Sequence, residues 1–172
     1  MTTANLAGPA IEPQRPRTRF VLGLFAVVGA SAYVGVLLVI GLSLGIYWRG
    51  LEPQVYAEWF TGNFIYLLPS VMLVLGPALI GVIGSLWLAR GDRVARRLWA
   101  LALAGLVLSS LVTALYHLPA NFRIWSGDLT SPELVSELDA WLVWHLVRWL
   151  FGLLGAVAAF WAVATWDRSR LR

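Results

Sequence analysis

From Phe20 to Trp48 the chain carries no charged residue, a run longer than the ~20 apolar residues that cross the hydrocarbon of a bilayer. The excess implies tilt or an interfacial extension. Comparable runs follow at about 63–89, 98–117 and 141–166. Pro69 and Pro77 fall inside the second, where neighbouring helices can satisfy the carbonyls that proline frees, usually with a kink. Pro119 disfavours the α conformation at Leu118, so the third helix is expected to end near His117, followed by a loop over 120–138. Ser131-Pro132-Glu133 looks like a helix start, with Ser131 as N-cap and Pro132 in the first turn. The pattern predicts an all-α, integral membrane four-helix bundle: a transmembrane domain over 20–166, with spans at about 20–48, 63–89, 98–117 and 141–166, flanked by a disordered 1–19 tail and a short 167–172 tail.

Composition supports this class. Hydrophobic residues make up 59% of the chain, above the ~45–50% of soluble domains. The net charge of +4 comes from arginine alone, since there is no lysine. Ten arginines lie in the N-terminal tail, the 90–97 stretch and the C-terminus, while the other two loops hold Arg49 and Arg123. Short basic loops stay on the cytoplasmic side, so both termini are expected to be cytoplasmic, in the plasma membrane. The same placement makes the lipid bilayer, not nucleic acid, the partner of this basic charge. With no cysteine, disulfides, thiolate metal sites and thiol redox chemistry are excluded.

Small residues recur at helix-packing intervals: Gly41 and Gly45, Gly76, Gly81, Gly84 and Ser85, Gly105 and Ser109. Such faces let backbones approach closely, within the bundle or in a homo-oligomer. The 49–62 segment reads as a polar loop whose Val55, Trp59 and Phe60 lie on the membrane surface. Glu58 in that loop is a candidate partner for a buried cation.

Candidate chemistry gathers in the 117–161 stretch. His117 closes the third span, and His145 lies one turn into the fourth. Arg148 follows on the same face of that helix, on the order of 10 Å in from Trp141. An arginine at that depth costs several kcal/mol unless paired or hydrated. Trp141, Trp144, His145, Arg148, Gly152 and Gly155 form one stripe, polar at its mouth and small deeper down. That describes a pocket for a flat apolar ligand, expected near the outer leaflet between the third and fourth helices. Asn121 stands at the same level and can both donate and accept. Each residue also has a plainer role: helix-interface hydrogen bonding for His145, a structural tether for Arg148, a C-terminal cap for His117, a turn for Asn121, and interfacial anchoring for the tryptophans.

HLPANFRIW, a short acidic loop and then W-x-x-W-H-x-x-R resembles the anthrone oxygenase-like family of small four-helix membrane proteins. Pro119 with Asn121, and Trp141, Trp144, His145 and Arg148, carry the resemblance over the last third of the chain. Trp149 stands where the family pattern would carry a small hydroxyl residue. The resemblance implies oxidation of an anthrone-type methylene by O2 as co-substrate, without a bound cofactor. His145 would be the base, Arg148 and Asn121 would stabilise the oxyanion, and Trp141, Trp144, His117 and Gly152 would line the site of an apolar aromatic small molecule. Two other readings stand beside it. His117 and His145 would bind haem, copper or iron, with Glu58 or Asp139 in support, or the protein would be a non-enzymatic accessory or lipid-binding subunit.

Overall fold

The computed structural model describes residues 16–168. The remainder of the expected tails, 1–15 and 169–172, lies outside the described residues. Four long helices carry the chain. The first, α1, is built of Pro16–Leu38, a π-helical stretch Val39–Leu44 and Gly45–Arg49. Next, α2 joins Pro53–Asn63, a 3-10 turn Phe64–Leu67 and Leu68–Leu88. α3 joins Arg93–Val112, a second π stretch Thr113–His117 and Leu118–Ser126, and α4 runs unbroken over Ser131–Arg168. All four are long and apolar enough to cross a membrane, and no strand occurs among the described residues. α1 packs along α2, α3 along α4, and α1 also against α4.

The helices begin earlier and end later than the apolar runs suggest, because polar ends are helical too. Pro16–Arg19, expected in the tail, form the first turn of α1. Asp92 caps α3, accepting from the Val94 and Ala95 N–H groups at 2.9 and 3.0 Å. The expected loop at 49–62 is largely helix, and Phe60 is fully buried against Trp48 and Trp141 instead of lying on a membrane surface. α3 does not end at His117. It continues through Pro119, with Leu118 at φ −63° and ψ −50°. A proline in a helix clashes with the carbonyl four residues back, and here that carbonyl, on Leu115, belongs to the π stretch, where the widened turn changes the register. Gly127, at φ +74°, then stops α3 in the left-handed conformation that glycine adopts without strain. The expected 120–138 loop shrinks to 127–130. The N-cap of α4 is Thr130, one residue before Ser131: the Glu133 carboxylate reaches back to the Thr130 N–H and hydroxyl, each at 2.7 Å, in a Thr-x-x-Glu capping box.

Two cores result. Toward the chain termini, Ala26, Ala30, Ala78, Ala102 and Ala159 are fully buried, and glycines bring backbones together. A Cβ on Gly105 would sit 2.7 Å from Gly155. Toward the two hairpin loops, the core is aromatic: Trp48, Tyr56, Phe60 and Trp141 pack edge-on or tilted with ring centroids 5.5–6.5 Å apart.

Candidate functional site

His145 and Arg148 sit where these cores meet, on the face of α4 turned to α1 and α3. Both are buried, at 3% and 5% exposure. The guanidinium holds the imidazole from one side, with Arg148 Nη2 and Nε 2.8 and 3.2 Å from His145 Nδ1. On the other side His145 Nε2 lies 2.7 Å from the Leu37 carbonyl. A guanidinium donates only, and a carbonyl accepts only. His145 is therefore the neutral tautomer with its proton on Nε2, donating to Leu37, while its Nδ1 lone pair faces Arg148.

The remaining contacts of Arg148 are polar or aromatic, not acidic. Its Nη1 donates to Thr113 Oγ1 at 3.2 Å, and its guanidinium carbon stands 5.5 Å from the centre of the Trp141 ring. Thr113 in turn donates to the Ser109 carbonyl, and Ser109 Oγ shares a 2.7 Å hydrogen bond with the Tyr33 hydroxyl. Arg49 pairs with Asp139 and Arg123 with Glu137; among the described residues no carboxylate meets Arg148. Glu58 is exposed, and Asp139 is engaged 2.7 Å from Arg49. A buried cation held only by neutral acceptors and rings retains most of its desolvation cost, which makes this an attractive place for an anion.

The other expected residues divide. Trp141 stacks on His145 at 5.0 Å and 19°, and His117 meets the Trp141 edge at 4.8 Å, 6.0 Å from the His145 ring. Asn121 reaches the site through Trp141, whose indole N–H donates to Asn121 Oδ1 at 3.0 Å; it fixes the ring that His145 lies on. His117 Nδ1 donates to the Val112 carbonyl at 3.4 Å, and its buried Nε2 makes no hydrogen bond. Two residues stand apart. Trp144 is half exposed and stacks on Tyr116. Gly152 faces the Tyr33 ring, 3.2 Å from where a Cβ would lie. With Gly155 also closed against Gly105, the room expected deeper along this stripe is filled.

Open space lies elsewhere, in a groove of about 440 Å³ between α1 and α4, lined by Leu37, Gly41, Gly45, Leu142, His145 and Trp149 among others. Gly41 is what admits His145 to its edge, since a Cβ there would stand 2.7 Å from the imidazole Cδ2. Sequence reasoning marked Gly41 only as a packing residue, and it missed Thr113 and the Leu37 carbonyl. Both π stretches border the pair: Leu37 precedes one and Gly41 lies within it, while Thr113 and His117 lie within the other. Such widened turns are rare and cluster at functional sites, but no composition cue marks them.

The sequence pattern of a family described as anthrone oxygenase matches residues 64–158, more than half of the chain. The chain belongs to the anthrone oxygenase family. The match takes in Thr113, His117, Asn121, Trp141, His145 and Arg148, while the α1 wall of the groove lies outside it. No curated protein and no solved structure matches the chain. Membership of the anthrone oxygenase family suggests an oxygenase-like function, and four apolar helices suggest a membrane protein. Among the described residues no group of three or more His, Cys, Asp or Glu stands together to hold a metal. Both nitrogens of His145 are engaged, so ligation by it would require breaking one of its two contacts.

Proposed function

We propose that this anthrone oxygenase relative oxidises a flat polycyclic anthrone- or phenol-type substrate with O2, without a bound cofactor, in the α1–α4 groove. The observation that supports this reading is the carboxylate-free His145–Arg148 pair, with His145 at the edge of an apolar groove. The groove volume falls in the range that small-molecule sites occupy. Both termini would be cytoplasmic, and the substrate would enter sideways from the lipid.

The chemistry uses the substrate's own electrons. Removing a proton from a ring-activated methylene gives an enolate, whose carbon bonds to O2. Protonation gives a hydroperoxide, and loss of water leaves the new carbonyl, so one oxygen atom ends in product and one in water. In the resting arrangement the base lone pair of His145 is shared with Arg148. Arg148 and Nδ1 lie behind the imidazole edge that lines the groove, so the imidazole must swing aside for a substrate oxygen to take over the Arg148 N–H groups and free Nδ1 to accept the methylene proton. As charge develops on that oxygen, the guanidinium stabilises it more strongly than in water. Asn121 and Trp141 position the imidazole, with His117 against the far edge of the indole.

The test is oxygen uptake by the purified full chain in nanodiscs, with a tricyclic anthrone as substrate. His145→Ala and Arg148→Ala are expected to reduce uptake to the uncatalysed rate while the variants elute as folded protein. Wild-type rates in both would rule the mechanism out. A haem band or stoichiometric copper or iron in the active protein would favour the ligand reading of His117 and His145.

A further inference from the structure

The groove has one charged side chain on its lining, Arg49, at the end of α1. Its Nη2 donates to Asp139 Oδ1 at 2.7 Å, with both side chains more than half exposed. A pair of this kind is weakly held, and it occupies one of the guanidinium N–H donors while leaving the others. Asp139 lies six residues before His145 on an unbroken helix, so the ion pair and the imidazole are separated by roughly 9 Å along α4. The groove thus has a polar, buried end at His145, an apolar body of leucine, isoleucine and glycine, and a cationic mouth.

We propose that this groove selects an amphipathic polycycle bearing an acidic substituent, with the rings against Gly41 and Leu142 and the acid on Arg49. The ring identity rests on the oxygenase reading; the acid-binding role of Arg49 rests on the groove itself. Arg49 lies on α1, outside the residues that match the family, and acts on the acid separately from the His145–Arg148 chemistry. Asp139 holds the guanidinium at the mouth and competes for it.

Two tricyclic anthrones, alike except for a carboxylate on an outer ring, test the assignment by equilibrium binding to the full chain in zwitterionic nanodiscs, with oxygen uptake followed in parallel. The carboxylate is expected to tighten binding about tenfold, the effect of one charge-assisted hydrogen bond. Arg49→Gln removes that preference, Arg49→Lys keeps most of it, and Asp139→Asn enlarges it. Equal affinity for the two compounds, or a preference that survives Arg49→Gln, overturns the proposal. So does displacement of both compounds by added anionic phospholipid at equal concentration, which would make the groove a lipid site. Binding with the Arg49-dependent preference but no oxygen uptake would sink the oxygenase reading and leave this one standing; uptake without the preference does the reverse.

Discussion

Near Gly105 and Gly155 two helix backbones touch, while toward the hairpin loops the rings of Trp48, Phe60 and Trp141 hold helices apart. The first region bonds Tyr33 to Ser109 but also buries Ser85 Oγ and Trp149 Nε1 without a hydrogen-bond partner. In the second, Trp48 Nε1, Tyr56 Oη and His117 Nε2 are likewise buried without hydrogen-bond partners, so what separates the two regions is how closely their helices approach. Within a bilayer, apolar burial gives helices little reason to associate, and close backbone packing takes over. The alanine–glycine region does that work and has no room for a ligand. The aromatic region keeps its helices apart with rings and borders the groove. His145 and Arg148 lie at the seam, braced by the tight region through Thr113 and Ser109 and by the loose one through Trp141.

The strongest way to break this contrast is Gly105→Leu, where a side chain must displace the α4 backbone. Overpacking there is expected to cost ~3 kcal/mol or more, seen as loss of a monodisperse peak in detergent, whereas Gly76→Leu, which faces open space, should leave that peak intact. Equal tolerance of both would mean the tight region is not the scaffold. Next comes Arg148→Met, which, like Arg148→Ala, should lower oxidation to the uncatalysed rate, a loss of at least about a hundredfold. Its unfolding free energy should stay within ~1 kcal/mol of wild type, because losing a costly buried charge offsets the lost hydrogen bonds. A collapse in stability would make Arg148 a structural brace. Gly41→Ala should push the imidazole away from the Leu37 carbonyl and slow turnover about tenfold through misplacement, with the fold unchanged by circular dichroism; an unaltered rate would detach Gly41 from the site. The mildest is Thr113→Val, which removes one donor–acceptor link to Arg148. A change of ~1 kcal/mol in activation free energy is expected, and no change in steady-state kinetics would show that Trp141 and His145 alone hold the guanidinium.

Much of this arrangement was legible in the chain. Uncharged runs beyond the bilayer thickness require helices, because an unpaired backbone in lipid is too costly. A lone arginine inside one such run, beside a histidine one turn earlier, marks a polar site for the same reason. Those arguments need only composition and helical period. The chain also carried the W-x-x-W-H-x-x-R segment that resembles the anthrone oxygenase family, to which the match over 64–158 assigns it.

Tertiary structure decided the rest. Pro119 breaks helices on local grounds, yet α3 runs through it because the preceding turn is π-helical, a register change that no local propensity encodes. Gly152 reads as room for a ligand until Tyr33, on another helix, fills it. Gly41 reads as generic packing until the imidazole of a helix more than a hundred residues away closes onto it. Which nitrogen of His145 carries the proton depends on the Leu37 carbonyl and Arg148 together. A sequence records which groups must be buried or paired; which partner each one meets is fixed by how four helices are turned about their axes, and that rotation is set by all their contacts at once.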